Sequence, residues 1–157
     1  MLKKYLLVFL ISMVPLIELR GAVPVALGMD LPVLPAYLVC IIGNMLPVPI
    51  IYFFARKVLI WGCDKPYIGK FFTYCLEKGH RGGERLVAKT GRGGLFVALM
   101  LFVGIPLPGT GAWTGTLAAS FLDMGIKSTV LAVCLGVIIA GIIMGVGASG
   151  VFAIIGL

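Results

Sequence analysis

Charge is what this sequence has least of. Asp, Glu, Lys and Arg make up 12% of its 157 residues, against about 25% in a soluble domain. Hydrophobic residues make up 61% and the mean hydropathy is +1.14, an excess that a single soluble core of this size would have to expose. Histidine occurs once, and the sequence holds no Ser/His/Asp arrangement, no phosphate-binding glycine loop and no CxxC pair. Cys63, Cys75 and His80 fit no standard zinc spacing, and Cys40 and Cys134 lie inside apolar runs, where cysteine acts as a small hydrophobe. These absences argue against an enzyme and predict neither metal nor cofactor.

The charges that do occur are unevenly placed. Residues Leu31 to Ala55, Gly93 to Leu122 and Ser128 to Leu157 carry none, and each run exceeds the roughly 20 residues needed to span hydrocarbon as helix. A fourth apolar stretch, Tyr5 to Met29, is interrupted only by Glu18 and Arg20. Lys3 and Lys4 ahead of an apolar run resemble the start of a secretory signal. Pro15, Glu18 and Arg20 then stand where small residues should flank a cleavage site, so the run reads as part of the mature chain.

Most of the basic residues fall between Arg56 and Arg92, including Lys65, Lys70, Lys78, Arg81 and Arg85 against Asp64, Glu77 and Glu84. Such a short basic loop belongs on the cytoplasmic side of a bacterial inner membrane. Within it Tyr67, Ile68, Phe71, Phe72, Cys75 and Leu76 recur on one helical face, with Pro66 at the start and Gly79 as the expected stop. A basic helix with an aromatic face lies in the plane of a membrane surface. Anionic lipid accounts for its charge, so membrane lipids are the expected partner and nucleic acid has no place.

The basic loop separates two stretches with a shared order: apolar leg, Pro/Gly-rich break, apolar leg, acidic residue, long apolar helix. The expected architecture is therefore an all-α polytopic membrane protein forming one integral domain over residues 1–157. Residues 1–55 form the first repeat, 56–92 the basic loop with its amphipathic helix, and 93–157 the second repeat. Setting Arg20-Gly21-Ala22 over Thr110-Gly111-Ala112 brings Cys40 near Cys134. Each broken helix pair is either a re-entrant hairpin or the two halves of one interrupted span. Legs of about ten residues cover roughly 15 Å, half the hydrocarbon, and fit both.

Proline removes a backbone donor and clashes one turn back, so Pro15 and Pro24 break the first pair around Glu18, Arg20 and Gly21. Pro106, Pro108, Gly109 and Gly111 break the second, with Thr110 and Trp113 as polar handles. Broken backbone at membrane depth survives only where protein or a wet cavity surrounds it, and paired breaks in two halves point to a transporter's binding site. Glu18 and Arg20 then have two readings. They neutralise each other or the freed carbonyls as a folding device, or Glu18 carries the coupling proton or ion while Arg20 holds an anionic group. The amides of Gly109 and Gly111, with Thr110, complete that second reading. Asn44, Pro47 and Pro49 interrupt the second apolar segment, and Asn44 either stitches helices or lines the cavity. Gly141 and Gly145 form a GxxxG, which serves packing within the chain or a homo-oligomer.

ELRGAVP at Glu18 to Pro24, GNMLPVP at Gly43 to Pro49 and IPLPGTGAWTG at Ile105 to Gly115 closely resemble the small multidrug export protein family of prokaryotic membrane proteins. More distantly, the broken segments with buried Glu and Arg look like the DedA (SNARE-associated) superfamily. The first resemblance implies export, and with the buried Glu18 the leading reading is proton- or ion-coupled export of a small molecule. The second implies movement of a polyprenyl phosphate lipid, although Thr110 stands where that pattern has an arginine. A third reading is a membrane scaffold acting through the basic loop.

Overall fold

The computed structural model describes residues 1–15, 17–107 and 110–155. Every regular element among the described residues is an α-helix. In order these are α1 (Leu2–Met13), α2 (Glu18–Gly28), α3 (Val33–Met45), α4 (Pro47–Cys63), α5 (Gly69–Gly104), α6 (Ala112–Phe121) and α7 (Ile126–Ile155). Three stretches are long and apolar enough to cross a membrane: Val33–Cys63, Val87–Gly104 and Ile126–Gly147. The all-α reading holds.

Several expected interruptions are milder than the sequence suggests. Leu46 keeps helical angles (φ −61°, ψ −40°) and its amide bonds to Ile42 O at 3.0 Å. Pro47 therefore joins α3 to α4 as a first-turn proline. Pro24 lies inside α2 without ending it; the first break is confined to the residues between α1 and α2, at Pro15. The basic helix does not stop at Gly79. It continues to Gly91, where φ of 71° breaks the helical path inside α5, a conformation that glycine adopts without steric cost. The helix begins at Gly69 rather than at Pro66, and the side chains of Cys75 and Leu76 lie outside the described residues.

Hydrogen bonds between distant residues fix the helix directions. Lys4 Nζ donates to Met29 O at 2.8 Å, so α2 folds back beside α1. The Tyr37 hydroxyl donates to Ile138 O at 2.5 Å and the Tyr52 hydroxyl to Met124 O at 2.6 Å. Rising numbers on α3–α4 thus meet falling numbers on α7, and the two long helices are antiparallel. The hydroxyl of Ser120 on α6 donates to Tyr52 O at 3.3 Å, and Arg56 pairs with Asp123 at 2.6 Å. The end of α6 therefore lies beside the far part of α4.

The ends of α2 and α6 are closed by the same set of bonds. Leu31 N donates to Ala26 O (3.1 Å) and Asp30 N to Leu27 O (3.0 Å). Met124 N donates to Ala119 O (3.0 Å) and Asp123 N to Ser120 O (3.4 Å). Each is a Schellman turn, and each puts an aspartate in the left-handed region, Asp30 at φ 57° and Asp123 at φ 55°. Leu31 against Ala26 and Met124 against Ala119 are buried, the apolar contact that accompanies this motif.

A second likeness concerns α1 and the last part of α5. A Cβ on Gly43 would stand 2.8 Å from Phe9 O and overlap the Ser12 hydroxyl; one on Gly136 would stand 2.7 Å from both Met100 O and Val103 Cβ. Each glycine lets a long helix close directly onto the backbone of α1 or of the last part of α5. Around these crossings Val8, Leu19, Cys40, Val103, Val133 and Val137 form the buried core. Gly141 is also occupied within the chain, since a Cβ there would stand 2.6 Å from the Tyr37 hydroxyl, whereas Gly145 meets nothing within 4 Å.

Gly43→Ala and Gly136→Ala are accordingly expected to destabilise the protein by about 1–3 kcal/mol through overpacking. Gly145→Ala should be neutral or gain up to about 1 kcal/mol of helix propensity. Unfolding midpoints of the three variants in one detergent check the contrast.

Candidate functional site

The two breaks meet, and side chains of the first half complete the backbone of the second. A helix that begins inside an apolar surround leaves its first amides without acceptors. At the start of α6 the Glu18 carboxylate supplies them. Ala112 N donates to Oε2 at 3.2 Å and Trp113 N to Oε1 at 3.1 Å, so both oxygens are engaged by charge-assisted bonds in line with the helix dipole. Glu18 is 5% exposed.

Gly111 makes this approach possible. Its backbone is extended (φ 164°, ψ −174°), so glycine is required for space rather than for conformation. A Cβ there would stand 2.7 Å from Glu18 Cδ and overlap Oε2. Glu18 itself is at φ 51°, a left-handed conformation that costs a non-glycine residue about 1–2 kcal/mol. Strain of this kind is retained where the surroundings over-determine it, and functional sites are where it collects.

Arg20 serves the other end of the second break. Its guanidinium donates to Leu107 O, to Ile105 O at 3.5 Å and to Thr110 Oγ1 at 2.9 Å. The Thr110 hydroxyl lies 2.8 Å from Ile105 O and 2.9 Å from Leu107 O. One arginine and one threonine therefore gather the carbonyls freed where α5 ends. The service is returned: the Trp113 indole N–H donates to Met13 O at 3.2 Å, a carbonyl at the end of α1.

A cavity of about 490 Å³ opens beside these contacts. Pro15, Glu18, Arg20, Pro106, Leu107, Thr110, Trp113 and Thr114 line it, and Leu117 and Met144 close its apolar side. Of the residues singled out in the sequence, Glu18, Arg20, Pro106, Thr110, Gly111 and Trp113 are thus brought together. Pro108 and Gly109 lie outside the described residues. Gly21 instead packs against Ile17. Asn44 is 2% exposed, does not line the cavity and leaves its Oδ1 without a hydrogen-bond partner. The structure adds Thr114, Leu117 and Met144, which no sequence pattern distinguished. No group of three or more metal-ligating side chains occurs among the described residues.

A family model described as "Putative small multi-drug export protein" matches residues 18–143. The chain belongs to that family. The match begins at Glu18 and takes in Arg20, the second break, the basic helix and most of α7, so Glu18, Arg20, Thr110, Gly111 and Trp113 lie within the family's own extent. It is a family of membrane proteins named for export rather than for catalysis. No curated protein and no solved structure matches the chain.

Because Glu18 and Gly111 share one space, their substitutions should couple. Glu18→Ala should cost about 1.5–3 kcal/mol by stranding the α6 amides. Gly111→Ala should cost a similar amount by expelling the carboxylate. The double variant should then fall short of the sum by at least about 0.5 kcal/mol. A thermal-unfolding cycle of the four proteins tests this, and strict additivity would separate the two residues.

Proposed function

We propose that the chain is a small transporter in which a proton or ion carried by Glu18 is coupled to the passage of a small molecule through the cavity between the breaks. The observation that carries this reading is the buried Glu18 carboxylate, held on the α6 amides at the wall of a cavity that Arg20 also lines. Protonating Glu18 weakens its hold on Ala112 and Trp113. The start of α6 then presents free amides beside a guanidinium, a combination that accepts an anionic or strongly polar group. Deprotonation returns the carboxylate and displaces that group.

The membrane arrangement we propose is a pair of inverted repeats. Each is a re-entrant hairpin (α1–α2, and the last part of α5 with α6) followed by a long spanning helix (α3–α4, and α7). Four findings support it: the fold-back of α2 on α1, the antiparallel long helices, the twin Schellman turns and the twin Gly43 and Gly136 crossings. The Gly91 break also divides the apolar stretch Val87–Gly104, leaving Arg92–Gly104, which at 1.5 Å per residue covers roughly 20 Å, as the straight first leg of the second hairpin. Matching Asp30 to Asp123 pairs Arg20 with Trp113 and Glu18 with Gly111, in place of the register drawn from sequence alone. With the basic loop in the cytoplasm of a bacterial cell, both termini lie on the opposite side. A homo-oligomer, if it uses the GxxxG, has Gly145 available, since Gly141 is covered by Tyr37.

One observation favours an amphiphilic substrate as a second reading. An apolar groove of about 450 Å³ runs between α2, α3 and α7, lined by Val23, Leu27, Val33, Tyr37, Ile142 and Gly145 among others. A lipid phosphate could then set its head near Arg20 and its chain in that groove.

Proteoliposome flux measured across a pH gradient separates coupling from binding. Glu18→Gln should abolish gradient-driven transport and its pH dependence while the protein still inserts and folds. Arg20→Lys, which keeps charge but loses the planar fork, should weaken apparent affinity about tenfold and leave coupling in place. Normal pH dependence in Glu18→Gln would make Glu18 a purely structural cap.

A further inference from the structure

The turn between α4 and α5 borders a shallow, open cleft of about 440 Å³, lined by Lys65, Gly69, Lys70, Thr73, Tyr74 and Glu77 among others. It is built by a tight closure. Gly69 N donates to Lys65 O at 2.8 Å, and a Cβ on Gly69 would stand 2.6 Å from Cys63 O. That closeness brings Lys65 and Lys70 to one cleft. Among the described residues neither lysine has a carboxylate partner. Lys65 Nζ instead lies 4.6 Å from the centre of the Trp61 ring, and the cleft's own carboxylate, Glu77, faces Arg81 at 3.6 Å. Two cationic groups therefore stand at one concavity, neither paired with a carboxylate.

The height of this cleft identifies what approaches it. It follows Arg56 and Lys57, the first charges after the uncharged run Leu31 to Ala55, and so lies on the water-facing side of that run, where lipid headgroups stand. Tyr74 lines it and Trp61 lies against Lys65, and these two rings, with Ile68 and Phe71 on the same turn and helix start, are 58%, 57%, 44% and 66% exposed. Aromatic rings of this kind settle at the boundary between headgroup and acyl chain. A soluble anion would neutralise the lysines but leave the rings in water. An anionic phospholipid meets both, with its phosphate at the lysines and its first chain carbons against the rings.

We propose that this cleft is a binding site for the headgroup of an anionic phospholipid in the leaflet where α4 ends, with Lys65 and Lys70 as the phosphate contacts. The site fastens the start of the basic helix to the membrane surface and is separate from the transport cavity.

Trp61 reports on it directly. The full-length protein and its Trp61→Phe variant are placed in nanodiscs of phosphatidylcholine containing brominated phosphatidylglycerol or, at the same fraction, brominated phosphatidylcholine. The difference between the two proteins isolates the Trp61 signal. Quenching by the anionic lipid should exceed quenching by the neutral one at least about twofold, because the two lysines draw anionic headgroups toward the ring. Lys65→Gln with Lys70→Gln should remove the preference, and Lys65→Arg with Lys70→Arg should keep it. Equal quenching by both lipids in the unaltered protein overturns the proposal, as does a preference that survives the double glutamine change. Loss of the preference on adding inorganic phosphate, with ionic strength held constant, reassigns the cleft to a soluble anion and also overturns it.

Discussion

A helix broken inside hydrocarbon leaves amides and carbonyls that lipid cannot satisfy, each at a cost of several kcal/mol. Here the broken ends are finished by side chains from the opposite half. Glu18 takes the first amides of α6, Arg20 takes the carbonyls at the end of α5, and Trp113 takes a carbonyl at the end of α1. Neither hairpin is complete alone, so the halves must fold against each other before either break is tolerable. The Gly43 and Gly136 crossings serve the same end, because they bring each long helix close enough to hold a hairpin in place.

The proposed repeat explains why the two breaks are alike in form and unlike in chemistry. Arg20 and Trp113 occupy matched positions and do matched work, each donating to carbonyls of the other hairpin. Glu18 and Gly111 also match, and they meet. Positions that meet their own equivalents lie near the axis relating the halves, where a side chain from one half fills the room that the other half's side chain would need. Only one carboxylate fits. The absence of a Cβ at Gly111 is the counterpart of the presence of Glu18, and a single titratable group at the centre follows from packing.

Much of this was legible in the sequence because it rests on residue types with strong local rules. Long uncharged runs announced the helices, and Pro/Gly clusters beside lone ionisable residues announced the breaks and six of the residues gathered there. What could not be read was which partner each polar group would find. Glu18 and Arg20 lie two residues apart and suggest a mutual pair, yet each bonds to backbone ninety or so positions away. Boundaries failed where one rule was outweighed by context. Pro24 and Pro47 were absorbed by helices whose packing compensates for a lost bond, and Gly79 did not stop a helix that Gly91, at positive φ, does. The register of the proposed repeat differs from the one drawn on the sequence because identity between single residues is a weaker guide than the paired αL aspartates, whose conformation no sequence pattern displays.

The strain at Glu18 bears on how such a site could move. Its left-handed backbone costs about 1–2 kcal/mol, while two charge-assisted bonds to amides contribute about 1.5–3 kcal/mol each. With the carboxylate ionised the bonds outweigh the strain and the first residue of α2 is held. A neutral carboxyl keeps bonds worth about 0.5–1.5 kcal/mol, the same size as the strain. On the proposed mechanism, protonation therefore turns a firmly held contact into a nearly balanced one and lets the backbone at Glu18 relax toward an ordinary conformation. Such relaxation draws the carboxyl off the α6 amides, which opens them to a ligand at the moment the proton arrives. The binding of one and the admission of the other are then linked through one φ angle, with no need for a longer path through the fold.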